Sequence, residues 1–179
     1  MHHLSKDEIA ALLERAQRQS HSLYTMILLG WRHGLRASEI CGLQVRDIDL
    51  LGGFITVQRK KGSLKTTQSL FREEQDALKT LMWGKTKTEY LFPGHGRAAG
   101  HITRQGFGKA FRGLCSELAF ASHLRHPHVL KHTCGMTVIK TGIENARQYL
   151  GHKSIASTGA YLRVTDDAAC RAAARAFDE

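Results

Sequence analysis

Most of the chain repeats its apolar residues at helical spacing, and one central stretch, from residue 45 to 70, does not. In that stretch β-branched residues alternate with polar ones, as in Phe54-Ile55-Thr56-Val57, and Gly52-Gly53 and Lys61-Gly62 supply turn signals. The alternation predicts short strands. We therefore predict an α+β, mainly helical protein in which a small three-stranded antiparallel sheet packs on a helical bundle.

Helix start and stop signals surround this predicted sheet. Ser5, with Glu8 three residues later, forms a capping box that begins a helix over residues 6–18. Gly34 is expected to end a second helix in a left-handed conformation, immediately before Leu35-Arg36. Glu39 lies close enough to Arg36 to hold it by a charge-assisted hydrogen bond. Further helices are predicted over residues 37–43, 73–83, 103–118, 144–150 and 166–179.

The charge and composition limit the kind of partner. The 179 residues include 26 lysines and arginines against 16 acids, which gives a net charge of +10 with histidines neutral. These charges are spread along a chain whose 42% hydrophobic content can bury the core of one domain. A basic surface of this kind favours a polyanionic partner, with nucleic acid the commonest, although a merely basic surface is an alternative.

Cysteine usage and the amino terminus indicate a compartment. The four cysteines are far apart and suggest buried free thiols in a reducing environment. No run of 18 apolar residues is present, and the first residues lack the apolar core of a signal peptide. We expect a cytoplasmic protein without membrane association.

The segment from residue 126 to 164 carries the residues with the most chemical potential. His128 and Lys131 are three positions apart and share a face if the segment is helical. Gly151-His152 follows a short helical pattern, and His152 is placed where a new helix is expected to begin. Tyr161 comes nine residues after His152 and is expected on a short helix that presents its phenol to a phosphate.

Four sequence segments, taken in this order, resemble the catalytic domain of the tyrosine recombinases, or phage-type integrases: GLRASEI (34–40), HPHVLKH (126–132), LGH (150–152) and Tyr161. The small fimbrial-invertase type is the most similar. The resemblance covers about residues 4–165 and implies one catalytic domain over residues 1–179, with no N-terminal core-binding domain in this chain, which is either a short fimbrial-type member or a fragment. It also implies that the helix over residues 166–179 docks on a neighbouring protomer; packing on its own domain is the alternative.

The resemblance implies an activity and a role for each site residue. The expected enzyme is a site-specific DNA recombinase that cuts and rejoins DNA through a 3′-phosphotyrosyl link, in integration, excision or inversion. Its implied catalytic residues are the nucleophile Tyr161, the phosphate-binding Arg36 and Lys131, the general acid Lys61 on the hairpin turn, the acid/base His128 and the hydrogen-bond donor His152. Lys60 is the alternative to Lys61, and Glu39 supports Arg36.

One position departs from the family pattern. The second motif normally reads His-x-x-Arg, whereas this chain has His128-Val129-Leu130-Lys131. An ammonium keeps the charge but loses the two-pronged geometry of a guanidinium, at a cost of about 1–3 kcal/mol of transition-state stabilisation. We expect an active but slower recombinase. The alternatives are a catalytically impaired DNA-binding regulator derived from an integrase, or a relaxing activity like that of a type IB topoisomerase.

Partners and cofactors follow from the same resemblance. We expect double-stranded DNA with short inverted repeats, a tetramer on DNA and a monomer without it, in a bacterial nucleoid or encoded by a mobile element. The histidines near residue 128, with Cys134, permit a zinc site as an alternative, but no glutamate completes a metalloprotease-type pair and no metal or cofactor is expected. The residues expected to contact DNA are Lys60, Lys65, Arg104, Lys109, Arg112, Arg125 and Lys153.

Overall fold

A computed structural model describes residues 2–59, 63–94, 100–159 and 161. The described part contains eight α-helices and three β-strands. The helices are α1 (Lys6–Gln19), α2 (His21–His33), α3 (Ala37–Cys41), α4 (Arg72–Met82), α5 (Arg104–Glu117), α6 (His128–Val138), α7 (Ile143–Leu150) and α8 (Ile155–Gly159). The strands are β1 (Ile48–Asp49), β2 (Phe54–Val57) and β3 (Thr66–Ser69).

Helix α2 lies at the centre of the helical layer. It packs against α1, α4 and α6, and its residues 26–29 are almost completely buried. Its neighbour α1 begins with the predicted capping box of Ser5 and Glu8. Gly34 ends α2 with φ = 61°, a left-handed conformation that favours glycine, and thereby turns the chain towards Arg36. The two start and stop signals are confirmed.

The sheet is antiparallel with strand order β1-β2-β3, as predicted. Alternate residues of β2 point into the core, and Ile55 and Val57 are buried. The backbone N–H of Leu64 donates to the Gly151 carbonyl oxygen at 2.9 Å. The segment immediately before β3 is therefore attached to the end of α7.

The predicted fold class is confirmed, and several boundaries differ. Helix α3 ends at Cys41 instead of residue 43, and α8 begins at Ile155, three residues after His152. Tyr161 lies two residues beyond the end of α8 and not on it, with its backbone N–H donating to the Thr158 carbonyl oxygen. The expected C-terminal helix (166–179) and the hairpin lysines Lys60 and Lys61 lie outside the described residues.

One further expectation is met within the described residues. Cys41, Cys115 and Cys134 are buried and form no disulfide. None of the helices in this part of the chain is both long and apolar enough to span a bilayer.

Candidate active site

Arg36 begins the site at the junction between α2 and α3. Its Nη1 donates to Glu39 Oε1 at 2.7 Å, and its backbone N–H donates to Glu39 Oε2 at 2.8 Å. The Glu39 side chain is fully buried, whereas 22% of the Arg36 side chain is exposed. The carboxylate therefore fixes the guanidinium from below and leaves part of it facing solvent, as the sequence predicted.

An open cleft of about 500 Å³ lies in front of Arg36. Helix α5 contributes Arg104 and Arg112 to its wall, and the start of α6 contributes His128. Arg104, Arg112 and His128 are exposed and Arg36 is half-buried, and the three arginines are permanently cationic. A cleft lined in this way suits an extended polyanion.

Lys131 lies on the inner side of the site. Only 4% of the residue is exposed, and its Nζ donates to the Gly34 carbonyl oxygen at 3.1 Å. Burial, together with Arg59 and Arg36, lowers the pKa of Lys131 to about 8, although Glu39 opposes the change. His128 and Lys131 were predicted to share one face of the helix. In the structure His128 borders the open cleft, whereas the Lys131 side chain extends into the interior.

Arg59 is a site residue that the sequence reasoning missed. Its guanidinium is fully buried and contacts Glu39 Oε2, with an N–O distance of 3.5 Å to Nη1. The same Nη1 donates to the Gly34 carbonyl oxygen at 3.0 Å, the acceptor that Lys131 also uses. The strand alternation was a usable signal, since Ile55, Val57 and Arg59 have the same parity and all three are buried.

His152 lies in the turn after α7. Gly151 adopts φ = 66° there, and a side chain at this position would overlap the Leu64 carbonyl oxygen, so the turn requires glycine. His152 Nδ1 lies 3.0 Å from Thr158 Oγ1, and Thr158 is completely buried. Burial, with help from Lys131, Arg36 and Arg59, lowers the pKa of His152 to about 4, which keeps the ring neutral.

Tyr161 is held in an apolar seat beside α6. It is 6% exposed and packs with Cys134 and Leu150. Its ring lies against Gly135, where an added side chain would overlap the phenol, and it stacks near-parallel to His152 with centroids 6.4 Å apart. Burial raises the pKa of Tyr161 to about 12, while the positive charge of Arg36 acts in the opposite direction.

Two histidines of α6 connect the cleft with this seat. The rings of His128 and His132 meet edge to face with centroids 4.4 Å apart, and His132 is 6.2 Å from the Tyr161 ring. Burial lowers the pKa of His132 to about 4, and its Nδ1 is buried without a hydrogen-bond partner. Within the described ranges, no group of three or more His, Cys, Asp or Glu side chains could hold a metal ion.

Six of the seven residues predicted to contact DNA are described by the structure, and they fall into three groups. Arg104 and Arg112 line the cleft, whereas Lys65, Lys109 and Lys153 are exposed without lining it. The Arg125 guanidinium donates to the Phe120 carbonyl oxygen at 2.7 Å and to Ser116 Oγ at 3.3 Å, contacts that hold a turn. Lys60 remains a prediction, since it is outside the described residues.

The structure thus places Arg36 and Lys131 near the buried Glu39 carboxylate, brings His152 and Tyr161 within range of the Arg36 charge, and leaves His128 at the open side. Comparison with known proteins identifies the family of the chain. The phage integrase family matches residues 2–168. The chain belongs to this family.

Individual relatives support the same assignment. The type 1 fimbriae regulatory protein FimB of Escherichia coli K12 is 34% identical over 164 residues, which cover 87% of this chain and 80% of FimB. The crystal structure of XerA recombinase matches with a TM-score of 0.76 and 26% identity, covering 98% of this chain. This integrase-family chain spans 65% of the XerA chain.

A more distant structure supports the fold. The Tn1549 transposon integrase, solved in complex with a circular intermediate DNA, matches with a TM-score of 0.81 and 20% identity over 97% of this chain and 65% of its own. The chain therefore has the fold of a tyrosine recombinase catalytic domain and is a tyrosine site-specific recombinase close to the fimbrial type. The predicted resemblance is confirmed.

Proposed function

We propose that this integrase-family chain itself cuts and rejoins DNA, with Tyr161 as the nucleophile. The observation that supports the proposal is the ion pair between Arg36 and the buried Glu39 at the edge of a basic cleft. The Tyr161 phenol is close enough for the charge of Arg36 to act on its pKa. A fixed cation beside an oxygen nucleophile is the arrangement that a metal-free phosphoryl transfer requires. The net charge of +10 supports DNA as the substrate.

The proposed reaction exchanges one phosphodiester for another. Tyr161 Oη bonds to the scissile phosphorus, the bond to the 5′-oxygen breaks, and a 3′-phosphotyrosyl link forms. His128 takes the phenolic proton, and Lys61 on the hairpin donates a proton to the leaving 5′-oxygen. Attack by the 5′-hydroxyl of another strand reverses these steps and releases Tyr161.

The binding roles follow from the protonation states. Arg36 and Lys131 neutralise the charge that grows on the non-bridging oxygens. Because the His152 ring is neutral, a hydroxyl hydrogen donated by Thr158 to Nδ1 leaves the hydrogen on Nε2, which then donates to the phosphate. Lys131 provides a point charge in place of the usual guanidinium, and this slows cleavage by about tenfold or more.

The proposed substrate is duplex DNA with short inverted repeats, on which four protomers assemble. Arg104 and Arg112 contact its backbone from the wall of the cleft, and Lys60, Lys65, Lys109 and Lys153 add further phosphate contacts. Because phosphate contacts dominate this surface, we expect affinity to fall steeply as the salt concentration rises.

Covalent trapping on DNA of randomised sequence tests the proposal. The chain is incubated with a pool of nicked duplexes that carry randomised inverted-repeat arms, so that cleavage releases a short fragment and traps the enzyme. Adducts are recovered and their DNA is sequenced. We expect enrichment of one repeat with the unmodified chain and no adduct with Tyr161→Phe. DNA binding without an adduct from the unmodified chain would refute the cleavage activity.

A further inference from the structure

The hydrogen bonds of Arg59 are unusual for a residue beside a basic cleft. A guanidinium has five N–H groups. All three of its nitrogen atoms donate to protein acceptors. The acceptors are Thr66 Oγ1 (3.1 Å), the Gly34 carbonyl (3.0 Å), the His33 carbonyl (2.9 Å) and the Tyr149 carbonyl (3.2 Å), and Glu39 Oε2 lies 3.5 Å from Nη1.

Three of these partners, Gly34, Tyr149 and Glu39, contact a proposed catalytic side chain or lie within three residues of one. Gly34 forms the left-handed turn two residues before Arg36, and its carbonyl oxygen also binds Lys131. Tyr149 lies near the end of α7, three residues before His152. Glu39 is the carboxylate that fixes Arg36. One buried side chain therefore touches the supports of three catalytic groups, Arg36, Lys131 and His152.

We propose that Arg59 is a positioning residue for DNA cleavage: its guanidinium ties the end of α2, Glu39 and the end of α7 into one rigid support behind the phosphate. This inference rests on the proposed function. Arg59 does not bind the phosphate, since its fork is already occupied by protein oxygens. Errors of about 1 Å in such a support can cost roughly 100-fold in rate.

Arg59 also sets the electrostatic environment of Lys131. The charged and titratable groups around the guanidinium are Arg36 and Glu39 from the α3 side, Lys131 and Cys134 from α6, Tyr149 and His152 from α7 and its following turn, and His33 from α2. Arg59 is the largest charge effect that lowers the pKa of Lys131. Removal of the Arg59 charge therefore raises this pKa, and Lys131 stays protonated to higher pH.

The test compares Arg59→Gln, which removes the charge, with Arg59→Lys, which keeps the charge and loses the fork. Gln68→Met is the matched control, because Gln68 Nε2 donates to the same Tyr149 carbonyl oxygen and is also buried but is uncharged. Adduct formation is timed at saturating DNA, across pH, well below each variant's unfolding midpoint. In the free protein, the titration of Lys131 is followed by NMR of its side-chain carbon next to Nζ.

We expect both Arg59 variants to bind DNA with nearly unchanged affinity and to form the adduct roughly 10- to 100-fold more slowly. Arg59→Gln, but not Arg59→Lys, raises the pH at which Lys131 loses its proton. The pH at which cleavage is lost on the alkaline side rises with it. Gln68→Met lowers the unfolding midpoint without moving either. If Arg59→Gln does not fold, Arg59→Lys tests the proposal instead, because it should form the adduct slowly while its DNA affinity stays normal.

Two outcomes overturn different claims. Cleavage by Arg59→Gln or Arg59→Lys within twofold of the unmodified rate, or a Lys131 titration that Arg59→Gln leaves in place, overturns the role of Arg59 alone. Failure of the unmodified chain to form any adduct overturns the proposed function instead.

Discussion

The two halves of the site differ in their relation to solvent. Arg36 and His128 border an open cleft whose wall carries exposed arginines, whereas His152 and Tyr161 are each less than one tenth exposed. Arg36, the proposed phosphate ligand, is thus already at the cleft, whereas Tyr161, the proposed nucleophile, is buried in the interior. We therefore predict that cleavage requires movement of the segment carrying Tyr161, and little movement of the segment carrying Arg36.

A physical reason for the difference lies in the charges. Arg36 cannot leave its place cheaply, because its departure would leave the buried Glu39 carboxylate with fewer partners. Tyr161 is a neutral phenol in an apolar seat, attached to a helix of only five residues. Its release costs packing contacts but leaves no buried charge without a partner.

The largest expected effect on cleavage comes from the open half of the site, which contains Arg36 and His128. Replacement of Arg36 by Met removes the fixed cation, and we expect adduct formation to fall by about 10²- to 10³-fold. Arg36→Lys is the matched control and should recover part of the rate, since it keeps the charge without the fork. Trapping on the nicked duplex measures both. A loss of less than threefold with Arg36→Met would show that the open half does not bind the scissile phosphate.

Lys131 tests the boundary between the halves. Its pKa in the folded protein, about 8, is below the ordinary 10.5, so the folded state disfavours the charge. The resulting destabilisation is fully present below pH 8 and disappears as the pH rises towards 10.5. Lys131→Met should therefore raise the free energy of unfolding at pH 7 by about 1–3 kcal/mol while it abolishes cleavage.

Urea unfolding at pH 7 and pH 10 measures this prediction. The unmodified chain gains stability from this group over that interval, and Lys131→Met should lack the gain. Equal pH dependence in the two proteins would contradict the burial of the charge.

The seat of Tyr161 can be filled directly. Gly135→Ala places a methyl group where the phenol lies, so we expect the ring to be displaced, its pKa to fall from about 12 towards 10, and stability to drop by about 1–3 kcal/mol. Spectrophotometric titration, compared with Tyr161→Phe, follows the phenol. Gly113→Ala on α5 is the control, because its methyl group meets open space and alanine favours the helix. A phenol pKa unchanged by Gly135→Ala would contradict the described seat.

The smallest expected effect is the loss of stability at acidic pH that arises from the buried half of the site. Burial lowers the pKa of His152 and of His132 to about 4, below the ordinary 6.5. The unfolded chain therefore binds more protons as the pH falls below 6.5, and stability is lost progressively down to about pH 4. We expect His152→Gln to reduce this loss by up to about 1 kcal/mol, as measured by urea unfolding at pH 7 and 5. A steeper loss in the variant would be the contrary result.

Local sequence signals predicted the open half well. Gly34 as a helix stop and Glu39 as the partner of Arg36 depend on residues within one or two turns, and both are confirmed. The burial of Lys131 was not predictable at that range, because its ammonium reaches a carbonyl oxygen 97 residues away in sequence. The storage of Tyr161 depends on Gly135 of another helix, and the Arg59 contacts join α2, α3 and α7. Such long-range contacts leave little trace in local periodicity.

Fluorine NMR of protein labelled with 3-fluorotyrosine tests most directly whether the nucleophile moves while the phosphate-binding half stays in place. The chain has four tyrosines, and Tyr161→Phe identifies the resonance of interest. We predict a buried resonance in the free protein that is insensitive to heavy water, and an exposed, phosphate-shifted resonance in the trapped covalent complex. A phenol already exposed in the free protein, or a Tyr161 resonance that keeps its buried position while the adduct accumulates, would contradict the account.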